Sequence, residues 1–201
     1  MAGITNYYAG KLAAAEFQGT AYSFPATIYV GLLTCTKGPI ARSTAYALND
    51  TASYVAADGA NHLYKCTTAG TTAATAPSYP GAENEVITDG TAVFTEQTSA
   101  LQAGTAQVEP SGGSYARAAQ TANSTNFTVT NATITDATAI NFPTPTANWV
   151  TSPASVWGFA DYDAATAGNC LRWGGLTTDQ YPATGNTVSF GAGALTVKID
   201  Q

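Results

Sequence analysis

Charge is what this sequence has least of. Lys and Arg number seven and Asp and Glu thirteen in 201 residues, so only 10% are charged, where a soluble domain ordinarily carries about 25%. The seven bases are scattered, whereas a nucleic-acid backbone needs several on one face, so nucleic acid is not expected as a partner. Histidine occurs once, at His62, with no Gly-x-Ser-x-Gly elbow anywhere, which argues against Ser-His-Asp hydrolysis and leaves His62 to be read as a strand-surface residue. None of the acids stands in a distinctive glycosidase context. Three cysteines (Cys35, Cys66, Cys170) cannot close a disulfide framework, and no two stand at metal-ligand spacing. They are predicted to be buried thiols of a protein made in a reducing cytoplasm. No apolar run nears the ~20 residues of a membrane span, and no signal-peptide pattern is present. Asp161-x-Asp163 begins like a calcium loop, but Ala165 and Ala167 follow, and Arg172 stands where the bidentate Glu belongs. No metal, cofactor or catalytic residue is therefore expected.

Neutral small residues and aromatics fill the space left by the charges. Three Trp, eleven Tyr and seven Phe are spread along the chain, which excludes disorder and points to a β-rich protein with large neutral surfaces. A chain of this length is one domain, with room for a small second lobe, and can bury about 70% of its unfolded surface.

The organising stretch is a long hairpin. Its arms, Val156–Tyr162 and Cys170–Leu176, are rich in aromatic and aliphatic residues, and Asp163–Asn169 supplies the turn. Trp157 and Trp173 should dominate the core from neighbouring arms. Thr5 to Phe17 reads as the one convincing helix, with Thr5 as cap and Ile4, Tyr8, Leu12 and Ala15 on one face. Gly10 weakens it by about 1 kcal/mol relative to Ala, so it needs a surface to dock on, its own sheet or a neighbouring subunit. Ala26–Thr34 is apolar on both faces and predicts a strand covered on both sides.

Residues 50–104 look inserted. Strands are expected at Tyr54–Ala56, His62–Thr68, Glu85–Thr88 and Ala92–Thr95, and Ser99–Gly104 reads as a linker. Within residues 52–98, five acids (Asp58, Glu83, Glu85, Asp89, Glu96) against one base (Lys65) make the insert the more acidic, better-solvated part. Residues 1–49 and 105–201 would form the main body, with strands at Thr105–Glu109, Tyr115–Gln120, Phe127/Val129, Ile134, Ile140/Phe142, Val188/Phe190 and Leu195/Val197/Ile199. The expected fold is all-β: a two-sheet β-sandwich or jelly roll with one short N-terminal helix and a small β insert lobe.

Ser111-Gly112-Gly113-Ser114-Tyr115-Ala116-Arg117, then Phe142-Pro143…Trp149, Asp163-Ala164-Ala165-Thr166-x-Gly168-Asn169 and Trp173-Gly174-x-Leu176-Thr177-Thr178, occur in that order. Together with Pro25–Thr34 and Thr187–Val197, this resembles a family of short tailed-phage virion proteins, variously of tail-fibre, minor structural and head-decoration type. The resemblance covers the chain except about residues 50–104, and the insert looks like a small all-β module of phage tail and head-fibre proteins. It implies a virion structural protein assembled from host cytoplasm, with itself, as a homotrimer, and the major capsid protein as partners. Capsid decoration (cementing) is the first expectation. The alternative is a tail-fibre or baseplate adhesin whose insert binds host polysaccharide. Candidate subunit contacts are Tyr8, Leu12, Arg117 and Arg172, the two Arg being rare charges inside apolar strands that can equally pair with a carboxylate at a sheet rim. Tyr64, Tyr79 and Phe94 could stack on a sugar, or serve as the core of a small lobe.

Overall fold

A computed structural model describes residues 2–198. The chain runs through β1 (Ala2–Ile4), α1 (Asn6–Phe17), β2 (Thr27–Cys35), β3 (Ala45–Tyr46), β4 (Thr51–Val55), β5 (Asn61–Thr68) and β6 (Gly70–Thr71). It continues through β7 (Val86–Asp89), β8 (Ala92–Glu96), the short helix α2 (Thr98–Gln102), β9 (Ala118–Thr121), β10 (Phe127–Thr130) and β11 (Thr133–Asp136). The last elements are β12 (Ile140–Asn141), β13 (Ser155–Tyr162), β14 (Cys170–Gln180), β15 (Ser189–Phe190) and β16 (Thr196–Lys198). The fold is all-β, and the strands of every sheet pair antiparallel. Ile199, predicted to belong to the last strand, lies outside the described residues.

The hairpin β13–β14 forms the middle of a five-stranded sheet of order β1-β14-β13-β2-β9. All eight residues of β13 are buried, which is why both arms read as nearly continuous apolar runs. One face of this sheet carries Val30, Leu32, Phe159 and Leu176, covered by Ile140, Phe142, Trp149, Leu195 and Val197. The other carries Leu33, Trp157, Ala160, Tyr162 and Trp173, covered by Leu63 of β5 and Leu101 of α2. Trp157 and Phe159 are two residues apart yet face opposite layers. A register shift between Val156 and Gly158 inserts one residue into β13 relative to β2 and flips the side chains beyond it.

Residues 51–96 form a separate four-stranded sheet, β4-β5-β8-β7. Its core of Ala52, Tyr64, Cys66, Tyr79, Ile87 and Phe94 also takes in Ile40 and Tyr46, which precede the segment. The lobe sits directly on the main sheet. The Asn61 backbone carbonyl lies so close to Gly175 of β14 that a Cβ there would collide with it, and Asn61 Nδ2 donates to Leu176 O at 3.0 Å. Two of the lobe's acids, Asp89 and Glu96, are fully buried rather than solvated.

Two local expectations differ. Ser99–Gly104 is not a plain linker: Thr98–Gln102 is helical, because Leu101 drives it into the Trp face. Thr105–Glu109 forms no strand; Val108 O accepts from Thr34 N at 2.7 Å without a continued ladder.

Candidate binding surfaces

Arg117 and Glu109 meet above β2. Arg117 Nε donates to Glu109 Oε2 at 3.0 Å and Nη2 to the same oxygen at 2.6 Å. Nη1 donates to the carbonyls of Ala164 and Ala167, both at 2.7 Å, closing the hairpin turn. The guanidinium also lies 3.3 Å from the Tyr162 ring centroid. Tyr115 OH donates to Glu109 Oε1 at 2.6 Å and accepts from Leu32 N at 2.9 Å. The carboxylate rests on Gly31, where any Cβ would strike it. Burial opposes the Arg117 charge, but Glu109 outweighs it and holds the guanidinium pKa above its ordinary value.

Arg172 pairs with Asp161 across the hairpin at 2.9 Å, both nearly buried. Burial pushes the Asp161 pKa up, with Arg172 pulling the other way. Asp163 accepts from the backbone N and Nδ2 of Asn169 at 2.7 and 2.8 Å, tying the loop that resembles a calcium site. Arg117 thus has its nitrogens engaged within the chain, whereas Arg172 pairs through Nη2 and keeps its buried Nε without a hydrogen-bond partner among the described residues. Tyr8 and Leu12 lie half-buried on α1, a helix with no buried residue.

His62 is not on a strand surface: its side chain is 2% exposed. Nδ1 lies 3.1 Å from Glu96 Oε1 and Nε2 2.9 Å from Asp58 Oδ2. Glu96 accepts in addition from Thr98 N at 2.9 Å, Asn84 N at 3.1 Å and Thr98 Oγ1 at 2.7 Å. The imidazole therefore ties the β4–β5 turn to β8 and the start of α2, with no nucleophile in its hydrogen-bond shell. Glu96 lies 34 residues along the chain and gave no local signal of this, although Asp58 is only four residues away.

Tyr64, Tyr79 and Phe94 are buried in the lobe core. Tyr79 OH donates to Asp89 Oδ2 at 2.7 Å, which Arg42 Nη1 also binds at 2.6 Å. In this conformation none of the three offers a ring face to a sugar, because a sheet this small needs them as its interior. Tyr54, which sequence reasoning did not single out, stands nearer the surface. Its ring lies 4.3 Å from that of Tyr79 and borders a groove of about 430 Å³ between the lobe and the end of β14. Val55, Asn61, Thr177, Thr178 and Asp179 also line it. Asp179 is fixed at its floor by Ser53 Oγ (2.7 Å), Asn61 Nδ2 (3.0 Å) and Ser155 Oγ. These residues come from segments more than 100 positions apart, so only the folded chain brings them together. Among the described residues no group of three His, Cys, Asp or Glu side chains could hold a metal ion.

The chain falls in the class of phage fibre-type structural proteins, because residues 91–198 match a family of that kind. That family is described as Podophage GP4 fiber I protein gp80, and the chain belongs to it. The matched stretch runs from the end of the lobe through the whole hairpin to β16 and leaves α1, β2 and most of the lobe outside it. A comparison with curated proteins finds no match to the chain.

Proposed function

We propose that this protein is a non-enzymatic fibre subunit of the tail or baseplate that recognises host surface polysaccharide through its lobe. The observation that carries this reading is the groove at the lobe–body junction. It places an aromatic ring beside threonine hydroxyls, an amide and an anchored carboxylate. Sugars are bound by such sets, which combine an apolar face with a few convergent polar groups. The fibre family supports this reading over capsid decoration, the first expectation from sequence. The purified chain should bind intact host cells and their extracted polysaccharide, and Tyr54→Ala with Thr178→Lys should abolish binding while the fold persists. Loss of neither, or no binding by the unaltered chain, overturns the reading. A capsid-decorating role rests on the weak charge of the body. Counting chains per particle separates the two, since decoration needs copies comparable to the major capsid protein and a fibre needs few.

A further inference from the structure

Residues 6–27 and 121–135 contain no buried residue. These 22 and 15 residues include α1, the segment after it, and β10 with its flanks. They carry two charges in all, Lys11 and Glu16, where an ordinary surface of that size would hold about nine. Between the segments lies a cleft of about 420 Å³ lined by Tyr8, Phe24, Ile28, Phe127, Val129 and Ile134. Its charged lining residue, Arg172, is held by Asp161. Phe24 and Val129 project at its rim, 60% and 66% exposed.

Strand β10 is the outer strand of the sheet β10-β11-β16. Natural proteins guard such an edge with Lys, Pro, a bulge or a short strand length, and of these β10, four residues long, has only the last. From 121 to 135 there is neither charge nor Pro, and the β10–β11 register runs without a shift. Helix α1 poses a second problem. Helices under ~12–15 residues are marginal in water unless packed, and this one has twelve residues, a Gly inside it and no buried face.

We propose that this face is an interface between copies of this chain, with β10 and the α1 cleft of one copy covered by a second copy. A different partner would ordinarily be selected by complementary charge, and this face has almost none to offer. It does carry both projections and a recess, so it can serve as its own complement. Its 37 residues exceed the roughly 20–30 per side of a stable interface.

Sedimentation of the full chain at micromolar concentration tests this. The unaltered protein should run at the mass of two or more chains. Val129→Lys and Phe24→Ser should each weaken association at least about 30-fold, as for an interface hot spot, with unchanged circular dichroism. Val86→Lys, equally exposed on the lobe's outer strand β7, should leave the mass unchanged. A monomer at every soluble concentration would hand the face to another virion protein and overturn the proposal. So would folded Val129→Lys and Phe24→Ser variants that keep the oligomer's mass.

Discussion

Arg117 sits beside a neutral sheet with its donors taken by one carboxylate and two turn carbonyls. Replacing one partner leaves the other charge stranded, which costs more than the pair contributes. Arg117→Met should therefore lower stability by about 3 kcal/mol, read as a fall in the urea midpoint. Arg117→Lys should recover only part, since an ammonium cannot fork to Glu109 and reach both carbonyls. Asp58 makes a pH prediction. Burial alone would raise its pKa, but the Ala60 amide and His62 hold it below the ordinary 3.8. A carboxylate depressed in the folded state stabilises above its unfolded pKa and loses that contribution as pH falls through its folded one. Asp58→Asn should accordingly flatten the acid limb of the stability curve below pH ~4 and lower stability at neutral pH slightly, because Asp58 is half exposed.

At the scale of elements, Leu63 is the lobe's anchor in the face that holds Trp157 and Trp173. Leu63→Ala should cost about 3 kcal/mol and shift the tryptophan emission to the red as water reaches the indoles. The hairpin arms, β2, the capped helix and the four lobe strands were legible because each has a periodic or continuously apolar pattern bounded by turn residues. The register shift at Trp157 was not. One extra residue leaves composition and periodicity nearly untouched, yet it reassigns two aromatic rings to opposite layers. Helix α2 was hidden by its small residues, since its formation depends on a single buried Leu. The groove was hidden for a different reason: Tyr54 and Asp179 have no relation in sequence, and their meeting is set by the seating of β5 on β14. His62 looked like a surface residue because its place beside Leu63 and Tyr64 gave no hint that Glu96, 34 residues on, and nearby Asp58 close over it.

For the whole molecule, the five-stranded sheet is a middle layer. Its Trp face is roofed by Leu63 and Leu101, and its opposite face by residues 140–150 and 195–197. A chain with residues 50–104 replaced by a short flexible linker should bind a hydrophobic dye strongly and precipitate on warming, whereas the full chain should do neither. Normal solubility of the shortened chain would show that the body closes over its own indoles.

On the proposed reading of the lobe as a recognition module, the roof formed by Leu63 and Leu101 also constrains how such a protein could change its target. A replacement recognition module cannot be spliced in as an independent bead. It must arrive carrying two aliphatic side chains spaced to seat over the paired indoles, and a backbone carbonyl that tolerates the bare Gly175. Grafts that respect this footing would inherit the host protein's stability, and those that ignore it would leave a greasy scar whatever their affinity for the new receptor.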